Sequence, residues 1–255
     1  MWWRPYLDPV EGLLKSGLDL CFPPLCPGCE RVDITPEAGR LPRDLCETCG
    51  LEIAPVIAHR CSRCSAPIGP HAETPDGCTH CIGEPFRFER VISLGEHAER
   101  LRSAVLVGKE SSGQTLVAAL TEVLWQREQE RLQSFNADVI IPVPRHWFKD
   151  VYHPAYAPHT IARVLGRRLN KPIRLRWLTR TGRRPDQRSL KRTARLSNLK
   201  GAFHARFPRG KTPSRVLLVD DVVTTGATAN ESTRALKEAG VAEVVVVSLA
   251  RSLGH

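Results

Sequence analysis

Apolar positions along the chain change their rhythm near residue 90. Before it they are scattered. Val10, Leu13, Leu14 and Leu18 fall at near-helical intervals within residues 8–20, which predicts a short amphipathic helix at most. Residues 21–85 are rich in Pro, Gly and Cys, with few periodic runs. Such a segment cannot pack a core without another source of order. Beyond residue 90 the runs lengthen. Residues 90–95 (RVISLG) predict a strand, and Leu116, Leu120, Val123, Leu124 and Leu132 recur at helical spacing between 112 and 132. Next, 138–144 (DVIIPVP) predicts a short buried strand, 161–169 a helix and 172–178 (PIRLRWL) a strand. Residues 214–221 (SRVLLVDD) predict a strand ending in two acids, 227–239 a helix stopped by Gly240, and 241–250 a closing strand.

Strands that are apolar throughout, instead of alternating, must be covered on both faces. Their alternation with helices predicts an α/β domain built on a parallel sheet, at residues 89–255. It is preceded by a small Cys-rich module at 21–88 and an N-terminal helical segment at 1–20. No internal repeat is visible.

All nine cysteines lie between Cys21 and Cys81. No apolar run approaches the roughly 20 residues of a membrane-spanning helix. The first residues also lack the apolar stretch of a signal peptide. The expectation is a cytoplasmic protein in a reducing compartment, whose cysteines bind metal and do not pair as disulfides. Eight of them form four C-x-x-C pairs: Cys26/Cys29, Cys46/Cys49, Cys61/Cys64 and Cys78/Cys81. One such turn places two thiolates on one side of a metal, and a second completes a tetrahedron. This predicts two zinc ribbons, whose pairing, sequential or crossed, the spacing leaves open. Four thiolates leave no open coordination position, so both ions are structural. Cys21 reads as a small buried apolar residue, and His59, His71 and His80 as surface groups.

The segment VLLVDDVVTTGATANE (216–231) carries most of the chemistry. An apolar strand delivers Asp220 and Asp221 to its carboxyl end, where ligands bind in open α/β sheets. Thr224, Thr225, Gly226, Ala227 and Thr228 then turn into a helix. Backbone N–H groups, three hydroxyls and an unobstructed glycine make an anion cradle there. Two acids beside a cradle repel the phosphate but suit sugar hydroxyls or a hydrated cation. Together they describe a ribose 5-phosphate. The loop is not a Walker A, since G-x-x-x-x-G-K-[ST] is missing.

This segment resembles the phosphoribosyl-pyrophosphate (PRPP) motif of type I phosphoribosyltransferases. With the four C-x-x-C pairs, IPVPRH (141–146), and the run of Arg180, Gln187, Leu190, Arg195, Asn198 and Gly201-Ala202-Phe203, the chain resembles the ComF/GntX family over about residues 20–252. The resemblance implies a double zinc ribbon followed by a phosphoribosyltransferase-like domain. It implies that Asp220 and Asp221 bind ribose hydroxyls, that Thr224 to Thr228 hold the 5-phosphate, and that Pro142, Val143, Pro144 and Arg145 form the pyrophosphate loop. It also implies Mg²⁺ accompanying PRPP, a mobile hood at 180–200, and a link to DNA uptake or nucleotide metabolism through competence-machinery partners. Three positions depart from the pattern. The family's R-G-F-N-Q is His153-Pro154-Ala155-Tyr156-Ala157 here. The Lys of its L-K-F is replaced at Leu106-Val107, with Lys109 displaced. Thr224 stands where some purine-salvage relatives carry an Asp base.

Charge adds a second partner class. The net charge is +10, from 37 Lys and Arg against 27 Asp and Glu. Between Arg163 and Arg215 there are 18 Lys or Arg and one acid, Asp186. Clustered basicity commonly neutralises phosphates, and Trp177, Phe203 and Phe207 offer candidate faces for base stacking. Two function classes therefore stand side by side. One is a transferase displacing pyrophosphate from Mg²⁺-bound PRPP, with no catalytic base identified. The other is a non-catalytic module that binds single-stranded DNA and senses a nucleotide in the same pocket.

Overall fold

A computed structural model describes residues 25–31, 45–145, 155–181, 199 and 201–253. The expected helix over 8–20, Cys21, and residues 182–198 and 200 of the expected hood lie outside these residues. The unbroken apolar runs are strands. Strands β1 (Arg90–Glu96), β2 (Val139–Pro142), β5 (Arg215–Val219) and β7 (Glu243–Arg251) form an all-parallel sheet in the order β1-β7-β5-β2. A short β6 (Val222–Val223) continues against β7 past the end of β5.

The period-2 alternation of a strand explains why these runs are apolar throughout. Val216 and Leu218 enter one core with Val139, Ile141, Val244 and Val246, whereas Leu217 and Val219 enter the other with Ile140, Val245 and Val247. Helices α2 (Glu99–Val107), α3 (Gln114–Phe135) and α4 (Ala157–Leu169) cover the second of these cores through Leu101, Leu120, Leu124, Ile161 and Leu165. The first is covered by α5 (Ala227–Glu238) and by an antiparallel pair, β3 (Leu178–Arg180) with β4 (Phe203–Ala205). Each fully buried leucine or isoleucine contributes about 1.5–3 kcal/mol, so both faces are strongly held.

Three elements differ from the sequence expectation. Residues 172–178 do not form a strand in the sheet. Ile173 alone bridges to Ile140, with the Ile140 N–H donating to the Pro172 carbonyl at 3.0 Å. Pro172 has no N–H to continue a ladder, and regular pairing resumes only at Leu178 against β4. Helix α2 has no clear signal in the apolar rhythm, because only Leu101, Ala104 and Val105 of its nine residues are buried. Helix α4 begins four residues ahead of the apolar pattern, with a proline in its first turn, where the missing N–H costs nothing.

The Cys-rich module covers one sheet edge. The Val91 N–H of β1 donates to the Arg63 carbonyl at 2.9 Å and the Ser93 N–H to Ser65 Oγ at 3.2 Å. The Arg60 guanidinium donates to the Ser93 and Leu94 carbonyls at 2.7 and 2.6 Å. An uncovered edge would be a template for pairing with another chain.

Candidate functional site

The cysteines gather sequentially. Cys26, Cys29, Cys46 and Cys49 form one group and Cys61, Cys64, Cys78 and Cys81 the other, with the ligand atoms of each group within 4.8 Å of one another. Sulfur separations are 3.9 Å for Cys29–Cys46, 3.7 Å for Cys61–Cys81 and 3.6 Å for Cys64–Cys78. A tetrahedral zinc with Zn–S of about 2.3 Å has S···S edges of about 3.8 Å. These eight cysteines are free, not disulfide-bonded. Each group could therefore hold a zinc ion.

Backbone N–H groups reach two sulfurs of the first group. Cys46 is the N-cap of helix α1 (Glu47–Ile53), its sulfur accepting from the Cys49 N–H at 3.4 Å. Burial pushes the Cys26 thiol up, but backbone N–H groups of Cys46, Gly28 and Cys29 outweigh it and bring it down to about 7. The second group is fully buried, whereas Cys29 in the first is exposed. His59, His71 and His80 are all exposed, in keeping with surface roles.

At the carboxyl edge of the sheet, Pro142 of β2 stands opposite Val219 of β5. The Val143 N–H donates to the Val219 carbonyl at 2.8 Å. This brings the segment 142–145 beside Asp220 and Asp221. The acids interrupt β5–β6 without loss of register, since Val219 faces Val247 and Val222 faces Ala250. They sit at different depths. Asp220 is buried, its Oδ1 accepting from the Asp221 N–H at 2.9 Å. Asp221 is half-buried, with Oδ1 accepting from the Val222 N–H at 2.9 Å and Oδ2 3.9 Å from Lys109 Nζ. Burial, then the Asp221 charge, push the Asp220 carboxyl well above the usual carboxylate range, and Lys109 only partly opposes them. Such a pair calls for hydroxyl donors or a cation.

The cradle follows. Gly226 takes φ +77° as the N-cap of α5 and supplies no side-chain acceptor. Left-handed backbone of this kind suits glycine. The N–H groups of the first turn precede any intrahelical acceptor and the helix dipole is positive there. Thr225 Oγ1 accepts from the Ala227 N–H at 3.3 Å, while Thr224 is exposed and Thr228 half-buried.

Several supporting residues escaped the sequence reading. Arg251, nearly fully buried at the end of β7, donates to the carbonyls of Val223, Thr224 and Ser252 and so ties down the start of the cradle. Tyr156 Oη donates to the Val143 carbonyl at 2.7 Å, and the Arg145 guanidinium lies 4.7 Å from the Tyr156 ring centre while donating to the Ala155 carbonyl at 3.1 Å. Ala155 and Tyr156, from the stretch that departs from R-G-F-N-Q, thus contact the segment 142–145. Lys109, displaced in sequence, reaches Asp221 in space. His97 follows β1 at the same edge; burial, then Arg102 and Lys109, push its imidazole down, with Asp221 opposing. Only Lys109 and Tyr156 had a signal in the sequence, as departures from a motif. Arg251 and His97 had none.

Residues 160–253 match the family described as phosphoribosyl transferase domain. Competence protein F of Haemophilus influenzae is 28% identical over 196 residues, covering 75% of this chain and 84% of that protein. DNA utilization protein YhgH of Shigella flexneri is 30% identical over 207 residues, covering 76% of this chain and 84% of its own. The chain belongs to the ComF/GntX family. Among solved structures, orotate phosphoribosyltransferase from Aeropyrum pernix is 21% identical, covering 54% of this chain and 59% of its own with a TM-score of 0.30. The matched segment 160–253 of this ComF/GntX chain runs from α4 through the acid pair, cradle and α5 to β7. Among its described residues no helix is long and apolar enough to cross a membrane.

The aromatic expectation needs one correction. Phe203 is buried, under the Arg180 guanidinium, which lies 5.6 Å from its ring centre, and cannot offer a stacking face. Strand β4 turns it into the core beside α5. Trp177 and Phe207 remain half-exposed, edge to face at 5.3 Å.

Proposed function

We propose that this ComF/GntX chain binds PRPP with Mg²⁺ at the carboxyl edge of the sheet. The observation that carries the reading is the buried Asp220 with its neighbour Asp221, set directly ahead of a helix start that lacks its own cap. Ribose hydroxyls would donate to the two carboxylates, and Thr224 to Thr228 would hold the 5-phosphate through backbone N–H groups and hydroxyls. Pro142 to Arg145 would line the pyrophosphate. Mg²⁺ arriving with PRPP would supply the charge that neutralises the pyrophosphate as it leaves. Two zinc ions would be held by the eight paired cysteines. Transfer would form a bond from a nucleophile to the anomeric carbon as the carbon–oxygen bond to pyrophosphate breaks. The chain's part in it is positioning.

Calorimetric titration of PRPP with Mg²⁺ tests the binding. Asp220→Asn with Asp221→Asn should weaken it tenfold or more, since hydrogen bonds to charged groups are worth about 1.5–3 kcal/mol each. Unchanged affinity in the double variant removes the site from the proposal. Pyrophosphate release with candidate bases separates a transferase from a binding module.

A second reading concerns DNA, in the cytoplasm of a competent or DNA-utilising cell. It is supported by the 18 cationic residues against one acid between Arg163 and Arg215, and by the names of the competence and DNA utilization relatives. Single-stranded DNA should bind with a log–log salt slope of about −0.7 per phosphate neutralised. A protein indifferent to DNA at about 50 mM salt, where screening is weak, overturns it.

A further inference from the structure

The linker between the second cysteine group and β1 lies against the cradle. The rings of Phe86 and Phe88 stack with centroids 4.6 Å apart and planes at 22°. A Cβ added to Gly226 would come within 3.1 Å of Phe86 Cε1 and 3.6 Å of Phe88 Cζ. The glycine that turns the chain into α5 is therefore in contact with the linker's aromatic pair. One turn on, Asn230 Oδ1 accepts from the Arg87 N–H at 2.6 Å and its Nδ2 donates to the Pro85 carbonyl at 3.2 Å. These are contacts across about 140 residues of sequence, all on the cradle turn and the first turn of its helix.

The linker is itself held from the cysteine group. Arg63, inside the Cys61-x-x-Cys64 turn, donates to the carbonyls of Cys81 at 2.9 Å and Glu84 at 2.8 Å, and its guanidinium stands 5.1 Å from the Phe86 ring centre. The Arg63 carbonyl also accepts from β1. One arginine thus joins the metal-binding turns, the aromatic ring and the sheet edge. Bidentate, stacked geometry is a task for arginine's planar fork, which lysine cannot reproduce.

We propose that Phe86, braced by Arg63, is a positioning residue for the phosphate cradle, and that the second cysteine group, unlike the first, sets how well the cradle is preorganised. The proposal rests on the ligand-site reading given under Proposed function, but its structural half stands independently of any ligand. A cradle of backbone N–H groups works only if they already point at the anion, because ordering them on binding would subtract from affinity. Gly226 gains freedom from having no side chain, and the ring on its outer side removes that freedom again.

The test uses the full chain. Amide hydrogen exchange over residues 224–230 is measured without ligand in wild type, Phe86→Ala, Phe86→Tyr, Asn230→Ala, Cys29→Ser and Cys78→Ser, with metal content alongside. Phe86→Ala should exchange roughly tenfold faster there while keeping both metals, and Phe86→Tyr should remain near wild type. Asn230→Ala serves if Phe86→Ala fails to fold. Cys78→Ser should speed exchange in the same segment and Cys29→Ser should not. Unchanged exchange in Phe86→Ala and Asn230→Ala overturns the brace, and equal effects of the two cysteine variants overturn the distinction between the groups. PRPP titration of the same proteins then separates the two ideas. A wild type that does not bind PRPP ends the ligand reading and leaves the exchange result standing. Weaker binding by Phe86→Ala, restored in Phe86→Tyr, joins them.

Discussion

Asp220 carries a proton more tightly in the folded chain than in the unfolded one, because burial and the Asp221 charge both disfavour its ionised form. The sign follows from linkage. A carboxyl with a raised folded pKa has its full stability at acid pH, and that contribution is lost as pH climbs from the unfolded value near 3.9 through the raised one. Asp220→Asn should therefore raise the neutral-pH melting temperature of the ligand-free protein, by about 2–4 °C for each kcal/mol recovered, while weakening PRPP binding. Melting scans of both proteins from pH 4 to 8 check it. The two should diverge with rising pH, and parallel curves would mean that Asp220 bears no such burden. The sequence marked both acids but not their unequal burial, which only the folded sheet decides. That Lys109 reaches Asp221 is likewise a matter of folding and not of spacing.

The strand–turn–helix formed by β5, the turn at 224–226 and α5 is contacted from outside by Phe86, against Gly226, and by Arg251, on the Val223 and Thr224 carbonyls. Gly226→Ala should cost about 1–2 kcal/mol from the left-handed backbone alone, with added crowding against Phe86 at 3.1 Å. A denaturant midpoint shifted down at unchanged slope is the expected readout. At the end of β2, Tyr156→Phe removes a hydroxyl that donates to the Val143 carbonyl, a loss of about 0.5–1.5 kcal/mol. If that carbonyl orders the segment 142–145 and the segment lines pyrophosphate as proposed, PRPP affinity should fall and ribose 5-phosphate affinity should not. Equal losses for both ligands would place Tyr156 with the fold as a whole. Most of these elements were legible from apolar rhythm. Residues 172–178 were not, because their alternation resembled a strand although Pro172 cannot extend a ladder and Arg174 and Arg176 face solvent.

For the whole molecule, the cysteine groups contribute differently. Metal analysis of protein purified without added zinc should give about two equivalents, since each group supplies four thiolates at tetrahedral separations. Iron with visible colour would contradict that count. Cys46→Ser should open the first group, with the strand pairing of the sheet retained. Cys61→Ser should do more, because the Arg60, Arg63 and Ser65 contacts cover the outer edge of β1. Its loss should expose that edge and promote self-association, visible as light scattering that rises with protein concentration. Equal scattering from the two variants would mean that the edge is protected by something other than the second group.

Local chemistry was enough to establish the parallel sheet, the four paired thiol turns and the acid–threonine–glycine turn, because each is written in residues close together along the chain. Apolar runs report burial on both faces, C-x-x-C reports a pair of thiols able to share a metal, and a glycine among threonines before a helix reports a left-handed turn into a helix start. Only the folded chain decided which C-x-x-C pairs share a site, since the spacing permits crossed as well as sequential pairing. Only it brought Lys109 and His97 to the acids, Tyr156 beneath Val143, and Arg63 with Phe86 against Gly226. Those contacts join residues far apart in sequence through a sheet whose strand order, β1-β7-β5-β2, differs from their order in the chain. Register and strand order are set by packing over both faces at once, and no local stretch encodes them.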